Sequence, residues 1–217
     1  MTDHLIKQIL KEIKLKENGP ASEAMSRMGL KYKQNYGVAV PEMRQIALKY
    51  KGNSKLSEEL LKIESRETKI LGILVADPET ISEKQINAIL DGINNIELAE
   101  QSCINLFEKI PACRNKAVKW IAQENQWIKV TGYLIFSRIA QKNDDLENDF
   151  FRKLIDFAPN DFMHESLHVR KALARALRNT ALRNKTLKEL VFKIVEPIKD
   201  KGNSAAAIIY EETIQLL

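Results

Sequence analysis

Glycine and proline are scarce, 8 and 6 residues in a chain of 217, about half their usual combined share of roughly 12%. Turn-rich all-β folds draw on both residues at every reversal, so that class is all but excluded. Cysteine is nearly absent. Cys103 and Cys113 are the only two and lack a metal-like spacing, as expected of a reduced intracellular protein. No apolar run approaches the roughly 18 residues a membrane span requires. The first fifteen residues interleave Lys7, Lys11, Glu12 and Lys14 with apolar positions, which reads as an amphipathic helix and not as a signal peptide. A cytoplasmic protein is expected. A strong charge of one sign is also missing: 34 Lys and Arg against 29 Asp and Glu leave a net charge of +5, too little by itself to imply a nucleic-acid partner.

What is abundant is helical patterning. Apolar residues recur three or four apart almost throughout, as in Leu5, Ile9 and Ile13. Asn18-Gly19-Pro20 reads as the stop of that first helix. A second covers about 21–29, and Pro41 opens another through about Tyr50, where its missing N–H costs nothing. Lys51-Gly52-Asn53-Ser54 closes it and offers an N-cap to a helix at about 57–63. The same tetrapeptide returns at 201–204. Further helices are predicted at about 66–76, 82–93, 96–109, 112–124, 127–141, 146–157, 164–180, 185–200 and 204–216. Short loops between so many helices predict antiparallel hairpins stacked in sequence, an α-solenoid of one domain over 1–217.

Two patterns carry candidate chemistry. His164-Glu165-Ser166-Leu167-His168 is a literal H-E-x-x-H, which on a helix would place both imidazoles on one face for Zn²⁺. The only other histidine is His4, so a third ligand would have to be an acid such as Glu189 or Glu196, and Arg170 would place a cation beside the metal. The competing reading is an exposed helix start. The second pattern is basic. From His164 to Lys193 eight Lys or Arg face two acids, a local excess above the net charge of the whole chain. Lys171, Arg175 and Arg178 follow i, i+4, i+7 and share one helix face, with Arg170 and Arg183 flanking them. Such a stripe can track a phosphate backbone; alternatively it is a solvated face. No aromatic residue interleaves it, which argues against a single-strand stacking platform. Trp120, Trp127 and Tyr133 read as core aromatics, and Glu97 and Glu100 as first-turn acids favoured by the helix dipole.

Several stretches taken in order resemble one family. Tyr36-Gly37-Val38 with Pro41 and Arg44, Glu64 to Leu74 with Glu67, Trp120 with Glu124-Asn125-Gln126-Trp127, and Val169-Arg170-Lys171-Ala172 through Ala176-Leu177-Arg178 to Arg183-Asn184 are similar to the DNA alkylation repair proteins with HEAT-like repeats, the AlkD-like alkylpurine DNA glycosylases. The resemblance spans about 32–185 and implies an all-α fold, a right-handed α-solenoid of HEAT-like antiparallel helix pairs whose basic face grips double-stranded or branched DNA. It further implies hydrolysis of the glycosidic bond of N3- or N7-alkylated purines. An Asp and aromatic faces stabilise the developing sugar cation in that family.

Carried residue by residue, that active site is depleted here. The family's Trp falls on Ile96 and its catalytic Asp on Glu100. Its DNA-contacting Arg falls on Val130, one place after Lys129, and its second Trp falls on Arg175. Glu is one methylene longer than Asp, and a displacement of about 1 Å can cost about 10²-fold in rate. A cation at 175 would repel a cationic lesion and attract phosphate. The expectation is therefore a DNA-binding protein with glycosylase activity weakened, altered or lost. Glu100 is the candidate catalytic acid, and Lys129, Arg170, Lys171, Arg175, Arg178 and Arg183 are the candidate DNA contacts. No metal, no cofactor and a monomeric state are expected. A helical-repeat scaffold without a DNA role is the alternative, ahead of a zinc hydrolase.

Overall fold

A computed structural model describes residues 2–142, 146–199 and 204–214. Every regular element among them is helical, and the chain divides into two compact units, Met1–Lys109 and Ile110–Leu217. The N-terminal unit holds α1 (Thr2–Leu15), α2 (Gly19–Arg27), α3 (Val40–Leu48), α4 (Ser54–Lys62), α5 (Arg66–Val75), α6 (Glu83–Asp91) and α7 (Ile96–Asn105). The C-terminal unit holds α8 (Pro111–Ile121), α9 (Gln126–Gln141), α10 (Asn148–Phe157), α11 (Leu167–Ala181), α12 (Lys185–Val195) and α13 (Ser204–Ile214). Among the described residues no helix is long and apolar enough to cross a membrane.

Short polar side chains start most of these helices. Asn18, Asn53, Ser65, Ser82, Asn95, Asn125 and Asn184 each accept a hydrogen bond from an otherwise orphaned N–H of the first turn, each contributing about 1 kcal/mol. Pro41 and Pro111 sit in first turns, where no N–H is missed. Asn18-Gly19-Pro20 corrects the sequence reading: α1 ends earlier, at Leu15, and these residues begin α2, with the Asn18 side chain 3.1 Å from the Ala21 nitrogen. Lys51-Gly52-Asn53-Ser54 does close one helix and cap the next, although its cap Asn53 starts α4 already at Ser54. Of its second copy, 201–203 lie outside the described residues. The predicted 96–109 helix breaks at Leu106 into a 3-10 turn, Phe107–Lys109.

Within the N-terminal unit α4 and α5 run antiparallel, as do α8 and α9 within the C-terminal unit. Ser57, early in α4, donates to the carbonyl of Gly72, late in α5, at 2.7 Å. Early in α9, Gly132 abuts Ala117 and Ile121 late in α8, so closely that a Cβ there would lie 2.9 Å from the Ile121 nitrogen. Helices α9 and α11 run parallel. The starts of α9 and α11 meet through Trp127 and His168, while Asn179, near the end of α11, donates to Ser137 Oγ, near the end of α9, at 2.7 Å. This is the packing of stacked helical hairpins. It brings α3, α5 and α7 side by side in one unit, and α9, α11 and α13 in the other.

Both cysteines are buried and neither forms a disulfide. Burial pushes Cys113 up from 9.0 to about 11. Between those values the unfolded chain releases a proton that the native chain keeps, so this thiol withdraws stability as pH rises through that window. Cys113 is accordingly expected to react with thiol reagents at pH 8 only at the rate of unfolding. Rapid labelling of the native protein would contradict its burial.

Candidate nucleic-acid interface

In the N-terminal unit, the starts of α5 and α7 are joined by a buried ionic cluster. Arg66 is 1% exposed and Glu67 fully buried. Arg66 Nε and Nη2 reach both carboxylate oxygens of Glu97 at 2.6–3.1 Å, and its Nη1 donates to Glu67 Oε1 at 3.0 Å and to the Val38 carbonyl at 2.8 Å. Burial opposes the charge of Arg66, but the bonds and charges of Glu97 and Glu67 outweigh it and hold its pKa above the ordinary value. Glu67 in turn accepts the backbone N–H groups of Tyr36 and Val38 at 3.1 and 3.3 Å. Gly37 between them has φ +69°, and a Cβ there would fall 2.1 Å from the Asn18 carbonyl, so no other residue fits. Tyr36-Gly37-Val38 and Glu67 are thus one structural device that seats the chain entering α3.

Glu97 also accepts the Tyr32 hydroxyl at 2.6 Å. Burial, reinforced by Glu97, pushes that phenol far above its usual range. Glu97 is therefore saturated with donors, beyond the first-turn role read from sequence. Glu100 lies one turn further along α7 and is half-buried, as is Ile96.

In the C-terminal unit, α11 is buried on most of its surface by Val169, Ala172, Leu173, Ala176 and Leu177. Lys171, Arg175 and Arg178 lie on the narrow seam left accessible, Lys171 exposed and both arginines half-buried. The seam also does structural work. Arg178 donates to the Glu212 carbonyl in the last turn of α13 at 2.9 Å. Arg183 reaches the Ile139 and Ala140 carbonyls at the end of α9, at 3.5 and 3.3 Å, and lies over the Phe151 ring. Arg170 donates to the carbonyls of His164 and Glu165. These guanidiniums satisfy carbonyls that helix ends and loops leave orphaned. Lys171 pairs with Glu212 at 3.5 Å while keeping 54% of its side chain exposed.

Lys129 is corrected. It is 7% exposed and its ammonium lies 2.9 Å from both Asp161 oxygens, so it is committed inside the unit and cannot reach a phosphate. Tyr133 donates to the same carboxylate, and burial followed by the Asp161 charge drives its pKa far up. Neighbouring Val130 is fully buried, so the place of the family's Arg faces the interior. The H-E-x-x-H reading also falls. α11 begins only at Leu167, with Ser166 as N-cap, leaving His164 outside the helix with its Nδ1 accepting the Ser166 N–H at 3.0 Å. His168 packs instead against half-buried Trp127, ring centroids 5.0 Å apart and the planes tilted by 43°. The two imidazoles share no helix face. Sequence reading missed Arg66, Tyr32, Asp161 and the Trp127–His168 pair, whose partners lie about thirty or more residues away along the chain.

Stacked helical hairpins with a cationic seam define a HEAT-like repeat protein. A family model described as DNA alkylation repair enzyme matches residues 9–204, and the chain belongs to that family. No curated protein matches. Among solved structures, the chain is similar to a member of a family related to the HEAT-like repeat DNA glycosylases with affinity for branched DNA structures. The TM-score is 0.79 and the identity 18%, over 96% of this chain and 94% of that one.

Proposed function

We propose that this protein is a cytoplasmic, monomeric DNA-binding member of its family. It holds double-stranded or branched DNA by the phosphate backbone, with excision of alkylated purines weakened, altered or lost. The observation that carries this reading is Arg175. The resemblance puts an indole there, whereas here a guanidinium sits in the accessible seam of α11 between Lys171 and Arg178. An indole face attracts a cationic sugar or lesion; a guanidinium repels it and grips phosphate. The branched-DNA affinity of the structural neighbour's family supports including branched substrates. Within this reading Glu100 supplies any residual stabilisation of the sugar cation, and Lys171, Arg175, Arg170, Arg178 and Arg183 make the phosphate contacts.

The reaction is tested on a duplex carrying 7-methylguanine. Wild type is expected to release at most traces of base, and Glu100→Gln to abolish them while leaving DNA affinity unchanged. Robust excision by wild type, or excision indifferent to Glu100→Gln, would overturn the reading of the chemistry.

A further inference from the structure

The accessible seam of α11 is not made of cations alone. With about 3.6 residues per turn, Leu167, His168, Lys171, Arg175 and Arg178 fall within one sector about 100° wide. Apart from Arg170, they are all the residues of α11 that reach solvent. His168 stands at the head of this stripe, and the indole of Trp127 packs against it from the start of α9, ring centroids 5.0 Å apart. Sequence spacing placed no aromatic residue among these cations. The fold brings one in from another helix and sets it beside the imidazole. His168 is exposed and Trp127 half-buried, so the pair is backed by the protein on one side and open on the other. Its surroundings are apolar. Leu167 is 43% and Met163 59% exposed, two of the three large apolar side chains left exposed among the described residues of this unit. The exposed acids Glu124 and Glu165 stand ahead of the two helices, outside the stripe.

A phosphate has no use for aromatic and apolar surface. Neither does an intact duplex, whose bases are stacked on one another and closed to a side chain. An unpaired base has an open π-face, and stacking it on an aromatic side chain tolerates any of the four bases. Lys171 follows His168 about 4.5 Å along the helix axis. A base laid on the imidazole therefore brings its own phosphate within reach of that ammonium, whose side chain is 54% exposed. Arg175 stands about 6 Å further on. The seam thus begins with a surface for a base and continues with charges for a backbone.

We infer that Trp127 and His168 form a base-stacking site at the head of the α11 seam, which takes an unpaired base at a branch in DNA while the cations behind it hold the backbone. This rests on the DNA-binding reading above and supplies it with a discrimination that phosphate contacts alone lack. The test compares three fluorescent DNAs of equal phosphate number: an intact duplex, a fork with one unpaired base at the branch, and the same fork with that base replaced by an abasic residue. Wild type should bind the fork with its base about 5-fold or more tighter than the abasic fork, the worth of one base–aromatic stack. His168→Ala and Trp127→Leu should erase that difference and leave duplex affinity unchanged, whereas His168→Phe should keep it. All variants are first checked for unchanged thermal unfolding; should Trp127→Leu fail that check, the two variants at exposed His168 carry the test. No preference for the base in wild type, or a preference intact in His168→Ala, would overturn the stacking site. So would an equal loss on all three DNAs in His168→Ala, which would make His168 one more backbone contact. In each of these cases Lys171→Ala/Arg175→Ala, if it weakens binding to all three DNAs, leaves the seam itself standing. A wild type that binds none of the three would overturn both.

Discussion

Replacing Arg66 with Met is expected to destabilise the protein by about 3–5 kcal/mol, the cost of removing one partner from a buried ion pair. Arg66 is the cation paired with two carboxylates at once, and their side chains are only 0% and 14% exposed at Glu67 and Glu97. Without it, Glu67 keeps the two N–H donors of Tyr36 and Val38, and Glu97 keeps the Tyr32 hydroxyl. Neither set supplies a full countercharge. Adding Glu67→Gln and Glu97→Gln to Arg66→Met should recover part of the loss, because the buried charges vanish together. Urea unfolding reads both effects. A loss below about 1 kcal/mol for Arg66→Met would mean the cluster is solvated and does not hold α3, α5 and α7 in register.

Asp161→Ala should cost a similar amount, about 3–5 kcal/mol, through the other unit. It strands the Lys129 ammonium, which is bonded to both Asp161 oxygens, and removes the acceptor of the buried Tyr133 hydroxyl. The double variant Lys129→Met/Asp161→Leu should recover part of that loss, since a packed apolar pair can replace a buried ionic one while the Tyr133 hydroxyl stays without its acceptor. Asp161 closes the short turn Ala158–Asp161 that leads into α11. Asp161→Ala should therefore also weaken DNA binding by loosening the helix that carries Lys171 and Arg175, whereas the apolar double variant should restore it. Restored stability without restored binding would show that Lys129 or Asp161 acts on DNA directly.

The helical class was legible because its signals are local: apolar spacing, Pro41 and Pro111 in first turns, and Asn and Ser before helices. Errors arose where one residue type serves two purposes. Gly19-Pro20 suits a helix stop as well as a start, and only the Asn18 bond to Ala21 decides between them. H-E-x-x-H depends on where α11 begins, and Ser166 begins it three residues late for that motif. Lys129 looked like a surface cation because its partner Asp161 lies 32 residues away, and Glu97 looked like a dipole partner because Arg66 lies 31 residues away. No spacing rule spans such distances. The family resemblance was legible in Tyr36-Gly37-Val38 and Glu67, although what those residues do, close one tight backbone approach around a buried carboxylate, required coordinates. The α11 seam was legible from its charge, whereas the use of Arg178 as a cap for α13 was not.

In the proposed function DNA is held through phosphates at the α11 seam. The most direct test is the salt dependence of duplex binding for wild type and Lys171→Ala/Arg175→Ala. Arg178 is left in place because its removal would also unseat the Glu212 carbonyl. Two lost phosphate contacts predict a log–log slope shallower by about 1.8 across about 50–200 mM salt. A variant that binds as tightly as wild type with the same slope, or a wild type that does not bind DNA at about 50 mM salt, would contradict the account.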